Sequence, residues 1–105
     1  MNLLNLVARL AAPRPIEPFL LEHGVNTASE HLSVYMRQAP GLETDIALLG
    51  VEETDEVMVY SRDGTDWFNF LPLYMVEEMV QGGVAAYKSP TEIATRILDY
   101  ARDDT

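Results

Sequence analysis

The chain has 105 residues, of which 48% are hydrophobic and 23% charged. This composition is typical of a globular domain and excludes a wholly disordered protein. Cysteine is absent, which excludes disulfides, thiolate nucleophiles and cysteine-ligated metal sites. Seventeen acidic residues against seven basic ones give a formal net charge of -10, which disfavours binding to nucleic acid or to an anionic membrane.

Residues 1–12 are predicted to form an amphipathic N-terminal helix, because leucine and valine recur on one side of a helical wheel. Arg9 lies inside this apolar run and no basic residue precedes it, a pattern that does not fit a signal peptide. The sequence also lacks the run of about 18 uncharged apolar residues that a transmembrane helix requires. We therefore expect a cytoplasmic protein.

Prolines and capping patterns place the remaining helices. Residues 13–18 contain three prolines and predict an extended connector, followed by a short helical turn near 18–23. Residues 27–30 have the spacing of a capping box and predict a helix over 27–38. A third helix is expected to begin at Pro72 and to end at the Gly82-Gly83 pair. Ser89-Pro90-Thr91-Glu92 predicts the start of the last helix, with a frayed C-terminus at 103–105.

Asp63-Gly64 lies between two runs of β-branched, aromatic and methionine residues, which predicts a β-hairpin over residues 56–71. Residues 44–49 predict one further strand, joined to the hairpin by the acidic connection 51–55. The expected fold class is α+β, with a three-stranded antiparallel meander packed with about four helices. The predicted order is α-α-β-β-β-α-α, plus the short helical turn, in a single domain spanning residues 1–105.

A two-residue turn at Asp63-Gly64 separates the side chains of the hairpin into two faces. We expect one face to belong to the core, and its members are Val57, Val59, Phe68 and Phe70. The other face has two open interpretations: it is either covered by helices or exposed to bind a protein, since tryptophan, tyrosine and methionine are enriched at interfaces. Its members are Met58, Tyr60, Trp67 and Asn69.

Acidic residues concentrate between Glu43 and Asp66, where Arg62 is the only basic residue. This segment is either a solvated acidic loop or a surface that attracts a basic partner. Together with the second face of the hairpin it gives the predicted partner-binding residues: Met58, Tyr60, Trp67, Asn69, Glu52, Glu53, Asp55 and Glu56.

Other candidate sites have weaker support. His23 and His31 lack the spacing of a zinc-binding helix, and residues 52–56 lack the glycine and the ligand alternation of a calcium loop. In residues 82–89, Tyr87 occupies the position that a phosphate loop gives to glycine. We therefore predict no catalytic residue, no metal site and no cofactor.

The favoured hypothesis is a non-enzymatic acidic interaction module, of inhibitor, immunity or chaperone type, that binds a basic protein surface. An α+β domain that binds a small molecule or acts as an enzyme is the main alternative. A winged-helix-like regulator is a weaker alternative, because its recognition helix would be the predicted helix over 27–38, which is poor in basic residues. Homodimerisation through the last helix or through the Trp67 face also remains open.

Overall fold

The computed structural model describes residues 1–37 and 40–103. Its strands form one antiparallel four-stranded sheet in the order β2-β1-β4-β3. The α+β class is thus confirmed, but the sheet has one strand more than the predicted meander. The elements in chain order are α1 (Leu3–Ala11), α2 (Glu17–Glu22), β1 (Leu32–Met36), β2 (Ile46–Gly50), α3 (Val51–Thr54), β3 (Val59–Arg62), β4 (Thr65–Pro72), α4 (Leu73–Ala85) and α5 (Pro90–Asp103).

The additional strand is β1, and it replaces the helix predicted over residues 27–38, which was wrong. The predicted capping box does not cap a helix; instead, the Asn26 side chain accepts a hydrogen bond from the Ala28 amide. β1 pairs with β2 on one side and with β4 on the other. A strand buried on both faces has a continuous apolar run, which periodicity alone does not distinguish from a buried helix. Gln38 and Ala39, the end of the predicted helix, lie outside the described residues.

This correction changes two further expectations. β2 pairs with β1 and not with β3, so residues 44–71 do not form the predicted meander. The segment that the winged-helix alternative needed as a recognition helix is the strand β1, which removes the structural basis of that alternative.

The hairpin of β3 and β4 has the predicted register, with Arg62 opposite Thr65, Tyr60 opposite Trp67 and Val59 opposite Phe68. Asp63 and Gly64 have φ angles of 53° and 78°, the left-handed conformation that both central residues of a type I′ turn adopt. The turn residues therefore set the alternation of side chains in this hairpin.

The helices α1, α4 and α5 pack against one another, and α4 also packs on the inner strands β1 and β4. The apolar side of α1 is buried as expected, and the left-handed Gly24 follows α2. Between the helices and the sheet lies the main core, which includes Leu3, Leu6, Val7, Val34, Met36, Leu48, Leu71, Leu73, Val76, Val80, Ile93, Ala94, Ile97, Leu98 and Ala101.

The Gly82-Gly83 pair does not end α4, which continues to Ala85. A Cβ atom on Gly83 would lie 2.5 Å from Cγ1 of the buried Ile93 in α5. The absent side chain thus allows the two helices to approach closely, so this glycine is explained by packing.

The capping box of α5 is confirmed: Ser89 Oγ accepts from the Glu92 amide at 3.2 Å, and Glu92 Oε1 accepts from the Ser89 amide at 3.3 Å. Of the predicted frayed end, Asp103 closes α5 and the last two residues lie outside the described part of the chain.

Candidate interaction surface

The segment between β2 and β3 crosses the sheet, because these two strands form its opposite edges. It crosses on the face opposite the helices: Val34 and Met36 of β1 belong to the core, whereas Tyr35 between them bonds Val57 of this segment. Beneath this segment lies Tyr35, whose side chain is completely buried and whose hydroxyl donates a 2.7 Å hydrogen bond to the Val57 carbonyl. The Tyr35 ring also contacts the Tyr60 ring edge to face, with centroids 6.5 Å apart. The crossing brings α3 and the acidic residues that follow it to the outer strand β3.

A group of six exposed carboxylates surrounds the hairpin, and we call it the carboxylate rim. Its members are Glu52, Glu53, Asp55, Glu56, Asp63 and Asp66. Glu53 accepts a hydrogen bond from the Tyr60 hydroxyl at 2.9 Å and forms an ion pair with Arg62 at 3.3 Å. Glu56 pairs with His31 at 3.2 Å. The rim therefore includes all four acidic residues predicted to bind a partner, and Glu53 connects it directly to β3.

Hydrogen bonds set the protonation of two groups at this surface. The Ser29 hydroxyl, which donates to Glu52, lowers the pKa of that carboxyl below its usual value, and the Glu30 amide acts in the same direction. The Glu53 carboxylate raises the pKa of Tyr60, because it accepts the phenolic proton and repels a phenolate. Both shifts favour the hydrogen-bonded forms, a carboxylate at Glu52 and a neutral phenol at Tyr60.

Four apolar side chains lie exposed beside the rim, and we call them the apolar strip. They are Val57, Met58, Val59 and Phe68, with exposed fractions of 41%, 71%, 49% and 42%. Three of them were predicted to be core, together with Phe70, and for these three the prediction was wrong; Phe70 alone packs against the core. Val59 lies in β3 at the edge of the sheet, whereas α4 packs on the inner strands. Phe68 lies opposite Val59 in β4.

The opposite face of the hairpin is half-buried at Tyr60, Trp67 and Asn69. The Asn69 amide donates a hydrogen bond of 3.4 Å to the Tyr35 hydroxyl. Trp67 lines a small cavity of about 180 Å³ beside Leu49 and the loop after α2. Of the four hairpin residues predicted to bind a partner, Met58 alone is widely exposed. Tyr60 contacts the crossing segment through Glu53, and Asn69 is linked to it through Tyr35.

The other candidates from the sequence do not assemble into a site. The His23 ring packs on Phe19, with centroids 4.7 Å apart, and within residues 1–37 and 40–103 no three acidic or histidine side chains meet in a metal-binding arrangement. A groove of about 1040 Å³ lies between α4 and α5 and is lined by both charged and apolar residues, among them Lys88, Arg96 and Tyr100. In the described part of the chain, no helix combines the length and the apolar character needed to cross a bilayer.

Comparisons of the chain with protein-family models, with curated proteins and with solved structures give no match.

Proposed function

We propose that this protein is a non-enzymatic interaction module that binds a basic protein surface through the apolar strip and the carboxylate rim. The observation that carries the proposal is the exposure of four apolar side chains on and next to the hairpin of β3 and β4, near six exposed carboxylates. Exposed apolar patches bordered by polar residues mark interaction sites on soluble proteins. Single exposed apolar residues would carry no such meaning.

The two parts of the surface have different roles. Six carboxylates against the single guanidinium of Arg62 produce a negative field that accelerates encounter with a basic partner. Because these carboxylates are exposed, salt screens most of their contribution to affinity. The apolar strip supplies the desolvated contacts that slow dissociation, with Met58 as its most exposed anchor.

The proposal keeps five of the predicted partner-binding residues as contacts, namely Met58 and the four acidic residues of the segment 52–56. Val57, Val59 and Phe68 join them. Tyr60 and Asn69 take a positioning role, because their contacts with Glu53 and Tyr35 hold the crossing segment in place. Trp67 is half-buried beside β2 and is not a contact in this proposal.

The alternative of small-molecule binding is supported by the groove between α4 and α5. Lys88, Thr91, Arg96 and Asp99 give this groove hydrogen-bonding groups of both charges, and Met79 and Ile93 supply apolar surface. A thermal-shift screen against metabolites tests this alternative, since a ligand of the native state raises Tm. Loss of the shift in Arg96→Ala would locate the ligand in the groove.

Affinity capture with matched variants tests the favoured function. Wild-type protein, Met58→Glu and Tyr87→Asn are used as baits in extract from the source organism at low and high salt. Tyr87 is a suitable control because it is 96% exposed at the end of α4, far along the chain from the hairpin, and asparagine tolerates its left-handed backbone.

The proposal requires a basic protein that wild type and Tyr87→Asn retain, that Met58→Glu releases, and that high salt weakens. With the purified partner, Met58→Glu should raise Kd by about tenfold or more. A partner that binds Met58→Glu as tightly as wild type would contradict the proposal.

A further inference from the structure

The outer edge of β3 differs from the outer edge of β2. The N-terminus pairs with the beginning of the β2 edge: Ile46 donates a 2.9 Å hydrogen bond to the Met1 carbonyl, and Asn2 forms a bridge with Asp45. No strand pairs with the outer side of β3 within residues 1–37 and 40–103. The edge of β3 is therefore open, and it lies at the apolar strip.

The register of the hairpin identifies the backbone groups that this edge presents. In an antiparallel pair, residues alternate between those that bond the neighbouring strand and those that point away from it. The Asn69 amide donates a 2.9 Å hydrogen bond to the Met58 carbonyl, and the two-residue turn makes Arg62 and Thr65 a bonded pair. Tyr60 is thus also bonded to β4, while the amides and carbonyls of Val59 and Ser61 point outward.

We propose that an extended basic segment of the partner adds to β3 as a fifth strand, a refinement that rests on the proposed function above. Addition to a sheet edge uses backbone hydrogen bonds for affinity and alternate side chains for specificity. Val59 and Phe68 lie on one face of the hairpin, so the partner's side chains on this face are apolar. Tyr60 and its partner Glu53 lie on the other face, so the side chains there are lysine or arginine.

Charge favours this occupant over a second copy of the chain. Pairing of two β3 strands would bring two carboxylate rims together, and like charges at facing positions of a sheet are destabilising. Arg62 supplies only one positive charge per copy, and it is already paired with Glu53. A basic strand neutralises the rim and covers the apolar strip at the same time.

The test uses isotopically labelled protein and a short synthetic peptide in which lysine and valine alternate. Amide hydrogen exchange is measured for Val59 and Ser61, with Tyr60 and Arg62 as internal references because their amides already bond β4. A second peptide has the same side chains but carries N-methyl groups on alternate backbone amides, which blocks one hydrogen-bonding edge while it retains the charge.

Strand addition predicts that the first peptide slows exchange at Val59 and Ser61 by about tenfold or more, because an open amide becomes bonded. It also predicts that the N-methylated peptide binds at least tenfold more weakly. Binding of both peptides with equal affinity, or binding that leaves Val59 and Ser61 unprotected, would overturn strand addition while the proposed function stands. If neither peptide bound, strand addition would also be overturned. Capture of a partner that depends on Met58 would then still support the proposed function.

Discussion

The Tyr60 hydroxyl donates a 2.9 Å hydrogen bond to Oε2 of Glu53 and so joins the outer strand to the segment that crosses the sheet. The same oxygen lies 3.3 Å from the Arg62 guanidinium. One carboxylate of α3 is thereby held against two residues, Tyr60 and Arg62, that are two positions apart and lie on the same face of β3. This arrangement fixes the position of the carboxylate rim relative to the open edge.

The variant Glu53→Ala should lower the pKa of Tyr60 toward its ordinary value of 10.0, because it removes the acceptor of the phenolic proton. Alkaline titration of tyrosinate absorbance measures the change, and Tyr60→Phe identifies the contribution of this tyrosine among five. Glu52→Ala is the matched control, since Glu52 contacts Ser29 and not Tyr60. An unchanged Tyr60 titration in Glu53→Ala would show that the hydrogen bond does not persist in solution.

The raised pKa also determines how the contact depends on pH. A group whose pKa is higher in the folded state contributes its full stabilisation below the unfolded pKa and loses it as pH rises through the folded value. The Tyr60–Glu53 contact is therefore fully effective below about pH 10, the ordinary tyrosine value. The stabilisation from this contact is lost as the pH rises through the pKa of Tyr60 in the folded protein.

The sequence predicts those parts of this structure that depend on interactions between neighbours in the chain. The Asp63-Gly64 turn and the cap formed by Ser89 and Glu92 connect residues at most three positions apart. β1 depends instead on pairing with strands distant in sequence, and residues 32–36 carry no local signal that favours a strand over a helix. The Gly82-Gly83 pair was interpreted as a helix end. The contact that explains Gly83 is with Ile93 in another helix, and a local pattern does not reveal it.

The candidate site likewise has features that the sequence predicts and features that depend on contacts distant in the chain. Proximity of the acidic residues to the hairpin follows from adjacency in the chain and was predictable. The exposure of Val59 depends on strand order, since the same residue in an inner strand would lie on a sheet face that α4 covers. The contact of Glu53 with Tyr60 likewise requires that β2 and β3 occupy opposite edges of the sheet, which no local pattern specifies.

The variant Tyr35→Phe should destabilise the protein by about 0.5 to 1.5 kcal/mol, because the Val57 carbonyl loses its part-buried hydrogen bond. The phenyl ring keeps the packing, so the effect isolates the hydroxyl. Denaturant unfolding measures the loss of stability. Hydrogen exchange should show faster opening of residues 55–58, whereas exchange in α5 should follow only the global change in stability. A variant as stable as wild type would contradict the role of this hydrogen bond.

Adjacent glycines in α4 offer a matched pair of variants. Gly83→Ala should destabilise the protein by about 1 to 3 kcal/mol, because its Cβ atom would overlap with the buried side chain of Ile93. Gly82→Ala should stabilise it by about 0.5 to 1 kcal/mol, because this site has open space and alanine favours the helix. Urea unfolding of both variants measures the difference. Equal effects of the two substitutions would show that α4 and α5 do not approach each other at Gly83.

The variant Arg62→Ala should bind the alternating lysine and valine peptide faster than wild type, because it removes the one positive charge beside the rim and releases Glu53 from its ion pair. The pair is about 40% exposed on both sides, so its loss should cost little stability. We expect the association rate at low salt to rise by roughly two- to fivefold, with little change in the dissociation rate. Stopped-flow fluorescence of Trp67, the only tryptophan, follows the reaction.

Arg96→Ala is the control for the Arg62 variant, since it removes the same charge from the exposed side of α5. Salt distinguishes the two variants further, because a local field acts within about a Debye length, near 10 Å at 0.1 M. The rate difference between Arg62→Ala and wild type should therefore shrink as salt increases. Equal acceleration by both variants at every salt concentration would mean that net charge, and not the rim beside β3, controls the encounter.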